Sequence, residues 1–254
     1  MKKIDVQSHP PDSLWLPQPA SLDSLSGQQV DVWRIHLDLS IESLKLRENS
    51  LSVDESARAA RFYFPVDRNR FVISHGALRE ILARYLHCET HQLSFSVNSY
   101  GKPSLNDGGL EFNLSHSGDF ALIAITHNRK IGVDVERMRT GISADIIGGH
   151  YFSKAEMSEL QTLPPEQREA AFFICWTRKE AYIKAQGMGL SLPLDSFDVS
   201  LTPDRPAMLR ATRPDPAEAT RWALLSLKVG PGYEAAVAVD GQNLDFRLWD
   251  WKPG

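Results

Sequence analysis

Cysteine is scarce in this chain, with Cys88 and Cys175 alone among 254 residues. Neither has a second cysteine near it in sequence, so a disulfide framework and a cysteine-based metal site are both excluded as expectations, and the two read as core thiols. Long apolar runs are missing too. A run such as Phe120 to Ile125 is far too short to cross a bilayer, and Met1-Lys2-Lys3 leads into polar residues and prolines rather than the apolar stretch of a signal peptide. A soluble cytoplasmic protein is expected, with no membrane partner. An excess of positive charge is also lacking. Lys and Arg number 28 against 32 Asp and Glu, giving a net charge of −4 and a pI near 6.1, which argues against a general binder of nucleic acid or anionic membrane. Any anion site must be local. No phosphate-binding loop of the Walker type and no literal internal repeat is visible.

What is present has globular proportions, with 42% hydrophobic and 24% charged residues. The chain is long enough for one large domain or two small ones. Residues up to about Gln28 are rich in Pro, Ser and Asp and read as an extended leader. Val30 to Leu39 alternates as a strand, with Val30, Val32, Ile35 and Leu37 suggesting a bulge. Asp54 to Phe64 reads as a helix stopped by Pro65, and Asp67 can cap a second helix with an apolar stripe through Phe71, Leu78, Ile81, Leu82 and Tyr85. Arg58, Arg61, Arg68 and Arg70 cluster at this joint, either solvated and paired or forming a phosphate site beside a helix start.

Ser99 to Ser104 is turn chemistry that presents Lys102 before Pro103. Leu110 to Ser117 runs as a strand into a Ser-His-Ser-Gly-Asp turn, and Phe120 to Thr126 and Ile131 to Glu136 follow across tight turns. Three strands joined this way predict an antiparallel meander and an α+β fold rather than a doubly wound sheet. Ser115 and His116 lack the order of a hydrolase triad; the histidine reads as a local hydrogen-bonding residue or a phosphate ligand.

Ile131-Gly-Val-Asp-Val-Glu136 is the centre of the chain. Alternation sends Ile131, Val133 and Val135 to one face, and Gly132, Asp134 and Glu136 to the other. Carboxylates two residues apart lie roughly 6.5–7 Å apart at Cα, near enough for one cation, and Gly132 leaves room for a ligand against the backbone. The plainer alternative is a polar face meeting water. After a polar connection, Arg137 to Gly149, Ser153-Lys-Ala-Glu156 matches a capping box. A helix from Glu166 to about Gln186 follows, stopped by Gly187. On it, steps of four run from Phe172 through Trp176 to Glu180 and Lys184, so the stripe turns from aromatic to ionic. An acid on the buried side needs a cation. The alternative is a simple pair between Glu180 and Lys184. Strands near Arg221–Val229 and Tyr233–Val239 come next, and Leu244 to Trp251 reads as an edge strand.

Phe112-Asn-Leu-Ser-His-Ser117, Ile131-Gly-Val-Asp-Val-Glu136 and Trp176-Thr-Arg-Lys-Glu-Ala-Tyr-Ile-Lys184, in that order, closely resemble the surfactin-type 4'-phosphopantetheinyl transferases. Phe152-Ser-Lys, Gly189 to Phe197 and Pro231-Gly-Tyr233 extend the resemblance over about Arg58 to Ala238. It implies a pseudo-dimer of two similar α+β subdomains with antiparallel sheets, divided as 1–129 and 130–254, with coenzyme A in the cleft between them. By the same resemblance Asp134, Glu136 and Glu180 bind Mg²⁺, which agrees with the ion's preference for oxygen ligands shared with substrate phosphates. Lys184 is implied at the pyrophosphate, Ser115 and His116 at a phosphate, Lys102 and Pro103 at the adenine nucleotide, and Arg58 and Arg61 at the 3'-phosphate. Glu55 and Phe71 stand where some members carry a basic residue and a threonine.

The implied reaction moves phosphopantetheine to a serine of an apo acyl or peptidyl carrier protein, with Glu180 as the proton acceptor, directly or through a metal-bound water. The carrier is expected to meet Gly141 to Tyr151 and the helix after Ser153. A monomer is expected. The competing reading is a non-catalytic module that binds carrier protein or coenzyme A on the same fold.

Overall fold

The computed structural model describes residues 15–38, 40–106, 109–142, 144–203, 205–213 and 215–253. The leader is therefore described from residue 15 onward, and Leu39, the expected end of the first strand, lies outside the described residues.

The first half begins with two strands, β1 (Leu16–Pro17) and β2 (Gln29–His36). Three helices follow: α1 (Ile41–Ser50), α2 (Val53–Ala59) and the long α3 (Pro65–Leu86). A small ribbon of β3 (Phe95–Val97) and β4 (Pro103–Leu105) then leads to the hairpin β5 (Leu110–Ser117) and β6 (Phe120–His127). The second half opens with β7 (Ile131–Arg137), then α4 (Ala144–Tyr151), α5 (Lys154–Thr162) and α6 (Pro165–Gln186). It closes with β8 (Phe197–Val199), β9 (Leu209–Thr212), α7 (Glu218–Arg221), β10 (Trp222–Ser226), β11 (Tyr233–Asp240) and β12 (Asp245–Asp250). The α+β class stands.

The two long helices are built alike, each 22 residues long, with Pro at its first position and a left-handed residue at its end, His87 or Gly187. Proline suits the first turn because its missing N–H has no helical partner there, and a left-handed cap returns N–H groups to the last carbonyls. Ser52 with Glu55, and Ser153 with Glu156, form complete capping boxes on α2 and α5. Asp67 is not a cap, because α3 has already started at Pro65.

Packing arranges these elements as four layers. The first sheet has the order β1-β12-β2-β6-β5, and the second β10-β11-β7. Trp33, Ile35, Phe112 and Ile123 pack one face of the first sheet on Ile73, Leu78, Ile81 and Leu82 of α3. Its other face, with Val30, Val32, Leu122 and Ala124, meets Ile131, Val133, Val135 and Val237 of the second sheet. The far face of the second sheet, with Leu224, Ala236 and Ala238, packs on α6. Helix, sheet, sheet, helix is the result.

This stacking corrects four readings. Val30, Val32 and Ile35 signalled no bulge, since β2 pairs in unbroken register; both of its faces are buried, so apolar residues occupy successive positions. The meander ends after β6, because β7 leaves that sheet and pairs antiparallel with β11. The tail is no edge strand: β12 lies between β1 and β2, parallel to both. The polar connection after Arg137 contains α4.

Candidate active site

β7 and α6 bring the acidic residues together. Gly132, Asp134 and Glu136 face α6, and a Cβ on Gly132 would fall inside the van der Waals envelope of Ala181 O and Ala185 N. The bare patch beside Asp134 is thus filled by helix backbone and is not open to a ligand. Absence of a side chain there lets α6 lie directly on β7 and brings Glu180 and Lys184 to the carboxylates of the strand.

Asp134 is buried, at 3% exposure, and its Oδ1 accepts from Lys184 Nζ at 2.5 Å and from Ser115 Oγ at 3.0 Å. Lys184 Nζ also reaches Ser115 Oγ at 3.0 Å. Lysine 184 therefore pairs across to the strand and not with Glu180 on its own helix. Glu136 Oε2 accepts from Ser117 Oγ at 2.9 Å. Burial, then the charge of Asp134, raises the pKa of Glu136; burial, then Asp134 and Glu136 against the opposing pull of Lys184, pushes Glu180 up to about 7.

Whether these groups suit a divalent cation is decided by their chemistry. Asp134, Glu136 and Glu180 offer oxygen donors, Asp134 Oδ2 is buried with no partner, and the charge of Asp134 raises both glutamates even with Lys184 beside it. Oxygen donors of this kind are the type a hard cation takes. Among the described residues no three acidic or imidazole side chains close around a single point, so the fit rests on the donors and the orphaned oxygen.

β5 supplies the other wall, with its alternate residues facing opposite ways. Asn113, Ser115 and Ser117 face β7: Asn113 Oδ1 accepts from Val133 N at 2.8 Å, and Ser117 Oγ from Arg137 N at 3.1 Å. These side chains take the outward N–H groups of an edge strand and join the two sheets without a backbone ladder. His116 faces the other way, toward α3; it is exposed, and partial desolvation and then Lys184, Arg70 and Arg58 lower its pKa. Ser115 and His116 thus serve different faces of one strand.

The remaining expected ligands are more dispersed. Arg58 is exposed with its guanidinium over the Phe71 ring, and Arg61 is exposed. Lys102 is drawn inward, donating to Ile131 O at 2.9 Å and Ala185 O at 3.3 Å, and desolvation holds its pKa at about 8. Pro103 starts β4 and is half-buried. A cavity of about 1060 Å³ bounded by Pro19, Arg84, His87 and Trp251 lies at the far end of α3, away from the carboxylates. Asn113, Ser117, Asp119 and Tyr233 line or brace the site without having been singled out as ligands, whereas Arg70 belongs to the arginine cluster read as a candidate phosphate site. The alternation of polar residues along β5 was the available signal for the first two.

Comparison with known proteins gives the same assignment from outside the geometry. Residues 40–128 match the family model described as 4'-phosphopantetheinyl transferase, N-terminal, and residues 130–238 match the 4'-phosphopantetheinyl transferase superfamily. The chain is 42% identical over 241 residues to the 4'-phosphopantetheinyl transferase HetI of Nostoc sp., covering 93% of this chain and 98% of that relative. It is 32% identical over 209 residues to the 4'-phosphopantetheinyl transferase Sfp of Bacillus subtilis, covering 81% and 90%. With both segments matched, and Asp134, Glu136, Glu180 and Lys184 brought together by β7 and α6 of the second, the chain belongs to the surfactin-type branch of the 4'-phosphopantetheinyl transferase superfamily.

Proposed function

We infer that the protein transfers the 4'-phosphopantetheine moiety of coenzyme A to a serine of an apo acyl or peptidyl carrier protein, releasing adenosine 3',5'-bisphosphate. The observation that carries this is the buried cluster of Asp134, Lys184 and Ser115, with Glu180 beside it, in a chain whose relatives are named for that activity. In the transfer, the carrier serine Oγ forms a bond to the β-phosphorus, the bond from that phosphorus to the bridging oxygen breaks, and the electron pair leaves with adenosine 3',5'-bisphosphate. Glu180 accepts the serine proton, at a carboxylate oxygen or through a water held beside it. Lys184 contacts the pyrophosphate and offsets its charge as the leaving group departs.

Asp134, Glu136 and Glu180 are the proposed holders of Mg²⁺, which when bound supplies charge neutralisation of the diphosphate. His116, Ser115, Arg58, Arg61, Lys102 and Pro103 are proposed along the nucleotide, with Lys102 acting by fixing its loop through two backbone carbonyls. The proposed carrier surface runs over α4 and α5, where Ile146 and Tyr151 are exposed. The two functional halves, 1–129 and 130–254, a monomeric state and a cytoplasmic location complete the proposal. Among the described residues no helix is long and apolar enough to cross a membrane.

Intact-mass spectrometry of an apo acyl carrier protein and an apo peptidyl carrier protein tests the reading directly, after incubation with this protein, coenzyme A and Mg²⁺, with a chelator control. A chelator-sensitive gain of one phosphopantetheine is the expected result. No gain on either carrier overturns the reading in favour of a binding module.

A further inference from the structure

Tyr233 reaches the turn between β5 and β6 from the opposite half of the molecule. Tyr233, at the start of β11, accepts a hydrogen bond from Asp119 N at 2.9 Å and donates to Asp119 Oδ2 at 3.2 Å. Its ring meets Phe120 edge-on at 4.9 Å. Gly118 adopts φ +58°, and a Cβ there would be driven onto the Tyr233 hydroxyl and to 2.9 Å from Arg137 Cδ. The turn fits against Tyr233 only with glycine at this place.

Asp119, so held, faces two cations. Its Oδ1 accepts from Arg70 Nη2 of α3 at 3.4 Å, and its Oδ2 lies 3.7 Å from Arg137 Nη1. Arg70 is also 3.7 Å from Asp67, so its guanidinium lies between two carboxylates. Exposed ion pairs of this kind add little stability. They do fix the direction of a long side chain, and Arg70 stands on α3, the helix that His116 faces from the end of β5. The same turn carries Ser117, which holds Glu136.

We propose that Tyr233 and Asp119 are positioning residues that latch the β5–β6 turn to the second sheet and so aim Arg70 at the phosphates of coenzyme A. The proposal rests on the transfer reading above, since it gives Arg70 an anionic substrate to meet. Tyr233 touches no reacting atom. Its hydroxyl acts through Asp119, and Asp119 through Arg70.

The test is a cycle of Tyr233→Phe, Arg70→Met and the double variant in the full-length protein. Carrier modification is followed by mass spectrometry, and the affinity for adenosine 3',5'-bisphosphate by calorimetry. Tyr233→Phe keeps the ring packing against Phe120 and removes two hydrogen bonds at an exposed aspartate, so the melting temperature should stay within about 2 °C of the parent. KM for coenzyme A and Kd for the bisphosphate should both rise by about three- to ten-fold, the span of one ordinary hydrogen bond, with kcat and KM for the carrier little changed. In the Arg70→Met background the added Tyr233→Phe change should have no further effect. An unchanged KM in Tyr233→Phe, additive losses in the double variant, or a fall in kcat and melting temperature together, overturns the latch. Absence of transfer by the parent protein instead overturns the functional reading on which it rests.

Discussion

Asp134 carries two burdens, as it is nearly fully buried and yet has one oxygen engaged by Lys184 and Ser115 and the other unpartnered. Asp134→Asn keeps the shape and removes the charge; turnover is expected to fall at least about 100-fold, with the fold retained on circular dichroism. Lys184→Met leaves the buried carboxylate without its cation, so here stability falls as well, by about 2 kcal/mol or more in chemical denaturation. His75 gives a pH test outside the carboxylate cluster. Its ring stacks on Phe71 with a nitrogen 3.0 Å from Phe71 O, and burial lowers its pKa to about 4. A base with a depressed folded-state pKa binds its proton more readily in the unfolded chain, so stability is lost as pH falls from about 6.5 toward 4. Comparing the parent with His75→Gln across that window should show the parent losing about 2–3 kcal/mol relative to the variant, from a shift of this size. Parallel curves would reject the shift.

The decisive element contact is the one between β7 and α6. Gly132 lets the helix backbone lie on the strand, so Gly132→Ala must move α6 or distort β7. Overpacking of this kind costs on the order of 1–3 kcal/mol, and because Glu180 and Lys184 ride on the same helix, the loss in kcat should exceed what the unfolded fraction explains. Activity measured well below the melting temperature separates the two. Much of this was legible beforehand. Alternation along Ile131 to Glu136 put the acids on one face, and steps of four put Glu180 and Lys184 on one stripe. What periodicity along one element does not give is which two elements meet. Gly132 therefore read as an opening for a ligand, when it is an opening for α6, and Lys184 had Glu180 as its nearest sequence partner while its spatial partner is Asp134.

At the scale of the whole molecule, the chain ends where it began. β12 returns to the first sheet and inserts between β1 and β2, with Arg247 bound to Asp31 through two nitrogens and Tyr85 donating to the same carboxylate. Asp31 is fully buried. Arg247→Leu strands that charge and should cost about 3–5 kcal/mol in denaturant unfolding, whereas joint replacement of Asp31 and Arg247 by apolar residues should restore much of it. If the single and double variants are equally unstable, the pair is not the source. A chain cut before Asp245 should lose cooperative unfolding of both halves, because the first sheet then lacks an inner strand.

Composition, alternation and helical spacing determined by themselves that this is an α+β chain with two long amphipathic helices, that acids cluster on one strand face and one helix stripe, and which family the ordered motifs resemble. These are properties of neighbours along the chain, set by the geometry of strand and helix. Tertiary structure alone decided that β7 leaves the meander for β11, that the tail becomes an inner strand, and that Asp119 and Tyr233 meet across 114 positions of sequence. The reason is physical: a strand with both faces apolar satisfies its pattern in any sheet that can cover them, so only the competition among all such faces for mutual burial selects the partners.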